Sequence, residues 1–420
     1  MDLFLLVTIA VALALWLSER VRPFVPTLFL ISACLLLNLE SSPLLTTKVV
    51  FQKISDPTLG LFFCGMSFGV LLKKHGMEHW LANTTAKYSR HSLKLHFRIA
   101  LFTTALLSMW TTNTTAMALS IPAFAGTLSL LRETHPKQAS GYLLGLAMAA
   151  NFGSLGTPMG AAPNAIALNT IQTLYPNIGF GFSDWIFLML PLTFGLLLLT
   201  ELLVSHFYEF SKSHVLSTSR PHHSAAPNPK IFMLLGTLVI LWITTPWHGM
   251  SPLGLGFAAV TIIYAFGFLD TKDLKSVDWD VLLMIAGGLL LSYLMEKGNW
   301  PQFLSNALNS SGINGHAQLL ILILVAAFGS AVSSNTATAV VLMPIAMKLL
   351  PQPSCAIAIA ASCALGVCFS ISTPANALLS GSHGLRNKDF LKLGLPIMLF
   401  GCLLIFFTAE LVVNWWIKMA

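Results

Sequence analysis

Ser108-Met109-Trp110-Thr111-Thr112-Asn113-Thr114-Thr115-Ala116-Met117 and Ser333-Ser334-Asn335-Thr336-Ala337-Thr338-Ala339-Val340-Val341 are two polar islands in an oily chain, their asparagines 222 positions apart. An amide and two hydroxyls are costly to bury without partners, so a membrane protein that keeps two such triplets uses them. They read as a binding site in two halves. Of the 420 residues, 55% are hydrophobic and only 9% charged, against about a quarter charged in a soluble domain. The chain therefore belongs in a bilayer. Apolar runs at about 3–17, 24–39, 58–72, 139–155, 185–205, 231–247, 252–269, 279–295, 355–370 and 390–417 are mostly near the ~20 residues that a spanning helix needs. The first run begins Met1-Asp2 without a basic stretch and lacks a small-residue cleavage site, so it reads as a retained helix rather than a signal peptide.

Correspondences between the halves go beyond the triplets. Trp16 and Pro26 match Trp242 and Pro252 at an offset of 226, and Gly65 and Gly76 match Gly287 and Gly298 at 222. The spacing predicts a duplication: a first repeat over 1–205, a polar cytoplasmic linker over 206–230 rich in Pro, Ser and His, and a second repeat over 231–420. Each half carries three spanning runs, a short amphipathic stretch, a hairpin candidate (about 95–131 and 317–350) and two more spanning runs. Five crossings is an odd number, so the second copy enters the membrane from the opposite side, the inverted-repeat plan of secondary transporters. At ~1.5 Å per residue, the residues before each asparagine reach the membrane interior and then need a turn. Pro122 and Pro344 each follow nine residues after the asparagine. Downstream of each hairpin lies a segment rich in helix breakers, Gly153-Ser154-Leu155-Gly156-Thr157-Pro158-Met159-Gly160-Ala161-Ala162-Pro163-Asn164 and Ser370-Ile371-Ser372-Thr373-Pro374-Ala375-Asn376. Such backbone frees amides and carbonyls at mid-depth and is tolerated only where it is buried in protein or lines a cavity.

Charge sets the orientation. With ten spans and two non-crossing hairpins, all the lysines and arginines but Lys48, Lys53, Lys297, Lys348 and Lys418 fall on one side. The positive-inside rule then puts both termini outside the cytoplasm. The net charge of +7 is accordingly a topological signal and gives no reason to expect nucleic acid as a partner.

These residues resemble the divalent anion sodium symporter family, the dicarboxylate, citrate and sulfate carriers of the ion transporter superfamily. The resemblance covers nearly the whole chain: both Asn-Thr tips, both downstream Pro-Asn or Pro-x-Asn segments and the duplication, with Ser108-Met109-Trp110 and Ser334-Asn335-Thr336-Ala337-Thr338-Ala339 as specific matches. It implies an all-α polytopic membrane protein with two inverted repeats, each of five transmembrane helices and one re-entrant hairpin. It further implies an elevator-type homodimer in a bacterial inner membrane. By the same resemblance, substrate contacts fall to Thr112, Asn113, Thr114, Ser334, Asn335, Thr336, Thr373 and Pro374. Sodium ligands fall to Ser108, Thr112, Asn113 and Gly160 in one site and Ser330, Ser333, Asn335 and Ser372 in the other. Two departures stand out. Thr112 occupies a position where serine is usual, and Ala161-Ala162 replaces a hydroxyl residue and a proline, so one side of the site has lost a donor.

A divalent anion at mid-membrane must be neutralised, yet no lysine or arginine lies within about ten residues of either asparagine. Half-helix N-termini and bound cations are the remaining sources of positive charge. An asparagine can serve both, its NH2 donating to a carboxylate and its carbonyl ligating a hard cation. No Asp or Glu occurs in these segments either, which argues against proton coupling through a membrane carboxylate. The expected activity is sodium-coupled symport of a small divalent anion, foremost a C4 dicarboxylate such as succinate, malate or fumarate. A sodium-independent anion exchanger, or a sulfate or citrate carrier on the same fold, is the alternative. A membrane enzyme finds no nucleophile–base pair or metal cluster to support it.

Other features have plainer readings. Polar triplets can be helix–helix glue, but two at equivalent positions, each followed by a broken segment, argue for a site. Cys34, Cys64, Cys355, Cys363, Cys368 and Cys402 read as packing residues, and Gly254-Leu255-Gly256 as helix packing. Glu201, Glu296 and Glu410 read as interfacial, His214, His222 and His223 as solvated loop. The basic stretch from His75 to Arg98 reads as an interfacial helix on the anionic leaflet, with a counterpart at Trp300–Leu308.

Overall fold

The computed structural model describes residues 3–18, 21–22, 24–36, 46–89, 92–210, 228–297, 314–370, 372–383 and 385–419. Every apolar run forms a helix. In the first half these are α1 (Leu3–Ser18), α2 (Val25–Leu36), α3 (Thr47–Ile54), α4 (Pro57–Lys74), α5 (Met77–Tyr88), α6 (Leu93–Trp110), α7 (Asn113–Ala123), α8 (Ala125–Thr134), α9 (Pro136–Gly153), α10 (Ala162–Leu174) and α11 (Phe182–Phe207). The second half adds α12 (Pro229–Ile243), α13 (Thr245–His248), α14 (Pro252–Ala265), α15 (Trp279–Lys297), α16 (Gly315–Val332), α17 (Asn335–Leu349), α18 (Pro353–Ala364), α19 (Pro374–His383) and α20 (Asn387–Met419). No strand occurs among the described residues.

Local chemistry sets the boundaries. Asp56 caps α4 by accepting from Thr58 N–H at 2.9 Å, with Pro57 in the first turn where its missing N–H costs nothing. Gly76 takes φ 69° between α4 and α5, a left-handed turn that suits glycine.

Among the described residues, four helical stretches are long and apolar enough to cross a bilayer alone: 47–74, 182–207, 315–332 and 387–411. Others, such as α2, α12, α14, α17 and α18, are shorter apolar helices of 10–17 residues. Three outward stripes fit contact with lipid. Phe187, Leu190, Phe194, Leu198 and Leu202 are exposed on α11, Ile321, Val325, Phe328 and Val332 on α16, and Leu399, Leu403, Phe407 and Leu411 on α20. Spacings of three and four residues place each set on one helix face.

The interior is built on two helices of small residues. All twelve residues of α18, Pro-Ser-Cys-Ala-Ile-Ala-Ile-Ala-Ala-Ser-Cys-Ala, are buried, as is nearly all of α9. Small side chains let helix backbones approach closely, which drives association where lipid offers no hydrophobic gain. α9 packs along α6, and α18 along α16. The halves interlock across the centre, since α7 and α9 touch α19 while α17 and α18 touch α10. A second core around Phe68, Phe182 and Trp242 joins α4, α11, α12 and α14, and Trp110 at the end of α6 stacks on Trp242 with centroids 5.5 Å apart.

Several expectations are sharpened or corrected. The 95–131 segment is three helices, because α7 ends at Ala123 just past Pro122 and α8 departs at 66°. In the second half α17 runs on through Pro344 to Leu349. Four residues after the first proline stands Gly126, where the second half has the better helix former Lys348. α11 runs on to Phe207, and α12 starts at Pro229. Glu201 is buried against the protein at 5% exposure, and Arg98 donates to both its oxygens at 2.9 and 3.0 Å, tying α6 to α11. All six cysteines are buried and free, as packing residues should be. Gly256 sits against Cys64 and Trp242, as helix packing requires. The histidines of 211–227 and the stretch Trp300–Leu308 lie outside the described residues.

Candidate functional site

Both helices break at the triplets, and they break alike. Thr111 and Thr112 have φ/ψ of −131°/−171° and −82°/154°; Ser333 and Ser334 have −134°/−164° and −82°/145°. Two extended residues thus join each descending helix to one that starts at the asparagine. The leading hydroxyl of each triplet is the N-cap. Thr112 Oγ1 accepts from Thr115 N–H at 3.2 Å and Ser334 Oγ from Ala337 N–H at 3.0 Å. Capping of this kind stabilises a helix start by about 1 kcal/mol. The substitution of threonine for serine at 112 leaves this cap in place.

The serines before the triplets are matched as well. Ser108 Oγ donates to Ala150 O at 2.5 Å, and Ser330 Oγ lies 2.6 Å from Cys363 O. Each fastens its hairpin arm to the helix leading into the next broken segment. Those segments are held by asparagines: Asn164 Nδ2 donates to Ser154 O and Thr157 O at 2.8 and 2.9 Å, and Asn376 Nδ2 to Phe369 O and Val367 O at 3.0 and 3.2 Å. Thr157 Oγ1 donates to Met109 O, docking the first segment on the first hairpin. Gly160 lies so close to Ser154 O that a Cβ there has no room. Ser372 Oγ donates to Phe369 O at 2.7 Å. Thr373 accepts from Asn376 N–H at 3.2 Å, and exposed Pro374 opens α19.

The amides are directional. Asn113 Nδ2 donates to Asn151 Oδ1 at 3.0 Å while its Oδ1 accepts from Thr114 N–H at 2.8 Å, so its oxygen is turned toward the tip. Ser330 Oγ is 2.6 Å from Asn335 Oδ1 and 2.6 Å from Cys363 O. The Ser330 hydroxyl is the donor to both oxygens, so Asn335 Oδ1 is held toward Ser330. Asn164 Oδ1 is buried with no partner among the described residues, and no described residue accepts from the Thr336 hydroxyl.

No Lys, Arg, Asp or Glu occurs in 99–131, 151–183, 317–347 or 349–385. What these segments supply is four helix N-termini, those of α7, α10, α17 and α19, together with amide, hydroxyl and carbonyl oxygens. Helix starts carry unsatisfied N–H groups and a partial positive charge of roughly half a unit, suited to anions. Oxygen donors suit hard cations. Among the described residues no cluster of His, Cys, Asp and Glu could hold a metal. Sequence reasoning missed Asn151 and Thr157. Asn151 is a lone amide in the run Met148-Ala149-Ala150-Asn151-Phe152 just before the glycines, and that isolation was the available signal.

α10 is the exception among the four starts. Its N-cap, Ala161, has extended backbone (φ −149°, ψ 145°) and no side chain able to cap. Ala161→Ser is expected to stabilise the protein by about 1 kcal/mol, read as a raised thermal midpoint in detergent. An unchanged midpoint would show that the α10 start is already satisfied.

An all-helical membrane protein that breaks two helices in its interior and lines the breaks with uncharged polar groups is built as a transporter. The comparisons place it further: residues 13–358 match the family described as citrate transporter, CitMHS, and the chain belongs to that family. A protein of Haemophilus influenzae named as an uncharacterized transporter is 30% identical over 93% of this chain and 87% of its own length. The sodium-dependent dicarboxylate transporter SdcS of Staphylococcus aureus is 24% identical over 93% of this chain and 82% of its own length. Among solved structures, the YdaH transporter of Alcanivorax borkumensis has a TM-score of 0.63 at 13% identity, covering 94% of this chain and 98% of that one, a likeness of fold alone. The resemblance to divalent anion sodium symporters therefore stands. The protein is an integral membrane transporter and not an enzyme.

Proposed function

We propose that the protein is a sodium-coupled symporter of a small divalent anion, with a C4 dicarboxylate such as succinate, malate or fumarate as substrate. The observation that carries this reading is the matched pair of tips, each with a capped helix start that opens on an asparagine. In the proposed site Asn113 and Asn335 ligate one sodium ion each. Ser108, Thr112 and Gly160 complete the first shell, and Ser330, Ser333 and Ser372 the second, partly through backbone carbonyls. The free amides of the helix starts and the hydroxyls of Thr114, Thr336 and Thr373 meet the anion, with Ser334 and Pro374 at its edge. Sodium supplies the positive charge that the segments lack, and its gradient drives uptake. The dependence of the S. aureus relative on sodium, stated in its name, supports the same coupling.

The matched backbone of the two breaks and the crossed packing of α7 on α19 and α17 on α10 support an inverted repeat. On this reading the protein is an elevator-type homodimer in a bacterial inner membrane with both termini outside the cytoplasm. Proteoliposomes containing the protein are expected to accumulate labelled succinate under an inward sodium gradient and not under an equal potassium gradient. Equal uptake under both would end the coupling claim. The uncapped start at Ala161 favours a second reading, a citrate or sulfate carrier or a sodium-independent exchanger. Citrate and sulfate as competitors, and counterflow without sodium, distinguish these in the same assay.

A further inference from the structure

Three amides, two of them buried, form a line from the first half of the chain into the second. Asn376 lies in α19, fully buried, with Nδ2 donating to Val367 O and Phe369 O. Carbonyls only accept, so this end of the amide is fixed as nitrogen and Asn376 Oδ1 must face the other way. There it accepts from Asn151 Nδ2 at 3.4 Å. Asn151, 1% exposed in α9, must then point its Oδ1 at the first tip, where it accepts from Asn113 Nδ2 at 3.0 Å. The orientation is handed along the line, from two main-chain carbonyls of the second broken segment to the amide at the first tip.

The two halves do not share this device. By the correspondence of Ala150 with Cys363, which accept from Ser108 and Ser330, the residue matching Asn151 is Ala364, an apolar residue inside α18. Asn164, the counterpart of Asn376, accordingly has an oxygen with no partner among the described residues. At the second tip the amide is oriented locally by Ser330; at the first it is oriented from a distance.

We propose that Asn151 is a positioning residue that holds Asn113 with its oxygen toward the tip and so sets the affinity of the first half-site for sodium, through a relay anchored on Asn376 in the opposite half. The proposal rests on the sodium reading above. An amide free to turn presents nitrogen as readily as oxygen, and nitrogen repels a cation. The relay also makes the first tip sensitive to the second broken segment, because displacing Phe369 or Val367 loosens the anchor that orients Asn113.

The test uses full-length protein in detergent and reads thermal stabilisation by NaCl against choline chloride, which needs no knowledge of the substrate. Asn151→Leu keeps the branched side-chain skeleton and removes both bonds. The half-saturating sodium concentration is expected to rise roughly five- to tenfold, the span of one or two lost hydrogen bonds. Asn151→Asp accepts from Asn113 Nδ2 whether or not it is protonated, and is expected to stay within about threefold of wild type. It also serves if the leucine variant fails to fold. Asn113→Asp placed on Asn151→Leu has two equivalent oxygens and needs no orienting partner, so it is expected to restore sodium affinity. Loss of packing could not be rescued in that way. Equal loss in the Asn151→Asp and Asn151→Leu variants, a leucine variant like wild type, or failure of Asn113→Asp to rescue would overturn the relay alone. A wild type with no sodium-specific shift would overturn the sodium reading and this inference with it.

Discussion

Gly153→Ala and Gly366→Ala are each expected to destabilise the protein by about 3 kcal/mol or more, the upper range for forcing a methyl into a packed interior. A Cβ on Gly153 falls 2.5 Å from Ala105 Cα and closer still to Ala105 O; one on Gly366 falls 2.7 Å from Ala331 N and from Ser330 C. These neighbours are main-chain atoms, so no rotamer change relieves the collision. Both glycines stand three residues after the carbonyls that Ser108 and Ser330 bond. The methyl would therefore pry each hairpin arm from the helix that carries its broken segment. The expected readout is loss of the monodisperse peak in size-exclusion chromatography, or a midpoint lowered by several degrees. Gly195→Ala is the control. Nothing lies within 4 Å of its Cβ, and mid-helix alanine is favoured over glycine by about 1 kcal/mol. Wild-type stability in Gly153→Ala would mean that α6 and α9 separate more readily than their packing implies.

Much of this architecture is legible in the sequence because the membrane simplifies the problem. Every apolar run became a helix, since backbone polar groups in lipid must be satisfied within the segment. The tips were found because polar triplets stand out against hydrophobic flanks, and their equivalence because the offset of 222 recurs in Gly65/Gly287 and Gly76/Gly298. The bend at Phe124 was hidden, for Pro122 and Pro344 look alike in sequence and only the residues after them differ. The Arg98–Glu201 pair was hidden because its members lie 103 positions apart. Asn151 escaped for a related reason. Its role depends on Asn113 and Asn376, 38 and 225 positions away, and one amide among alanines has no periodic signature. Side-chain direction, which decides whether an asparagine offers oxygen or nitrogen, is fixed only by tertiary neighbours.

Asn335→Ala is expected to lower sodium-driven succinate uptake roughly 100-fold, while Thr336→Val raises the succinate KM roughly tenfold with the half-saturating sodium concentration unchanged. Hydrogen bonds to charged groups contribute about 1.5–3 kcal/mol, a factor of roughly 10 to 150, and the second tip has no charged residue to compensate for their loss. The alanine substitution removes the proposed sodium ligand and, with it, the oxygen that accepts from Ser330 Oγ, so both sodium and anion affinity should fall. Valine at 336 differs from threonine by one hydroxyl. That hydroxyl donates to no described residue, caps no helix and stands outside the proposed sodium shell. Its loss should therefore weaken only the anion. The separation follows from α17 itself: the residue that opens the helix is the proposed cation ligand, and the next offers its hydroxyl to the substrate. Initial rates in proteoliposomes over a grid of sodium and succinate concentrations measure both parameters, with size-exclusion profiles checking that each variant is folded. A Thr336→Val variant whose sodium dependence shifts as far as its succinate KM would place this hydroxyl in the cation shell and undo the assignment. An Asn335→Ala variant with uptake near wild type would remove the second tip from the site altogether.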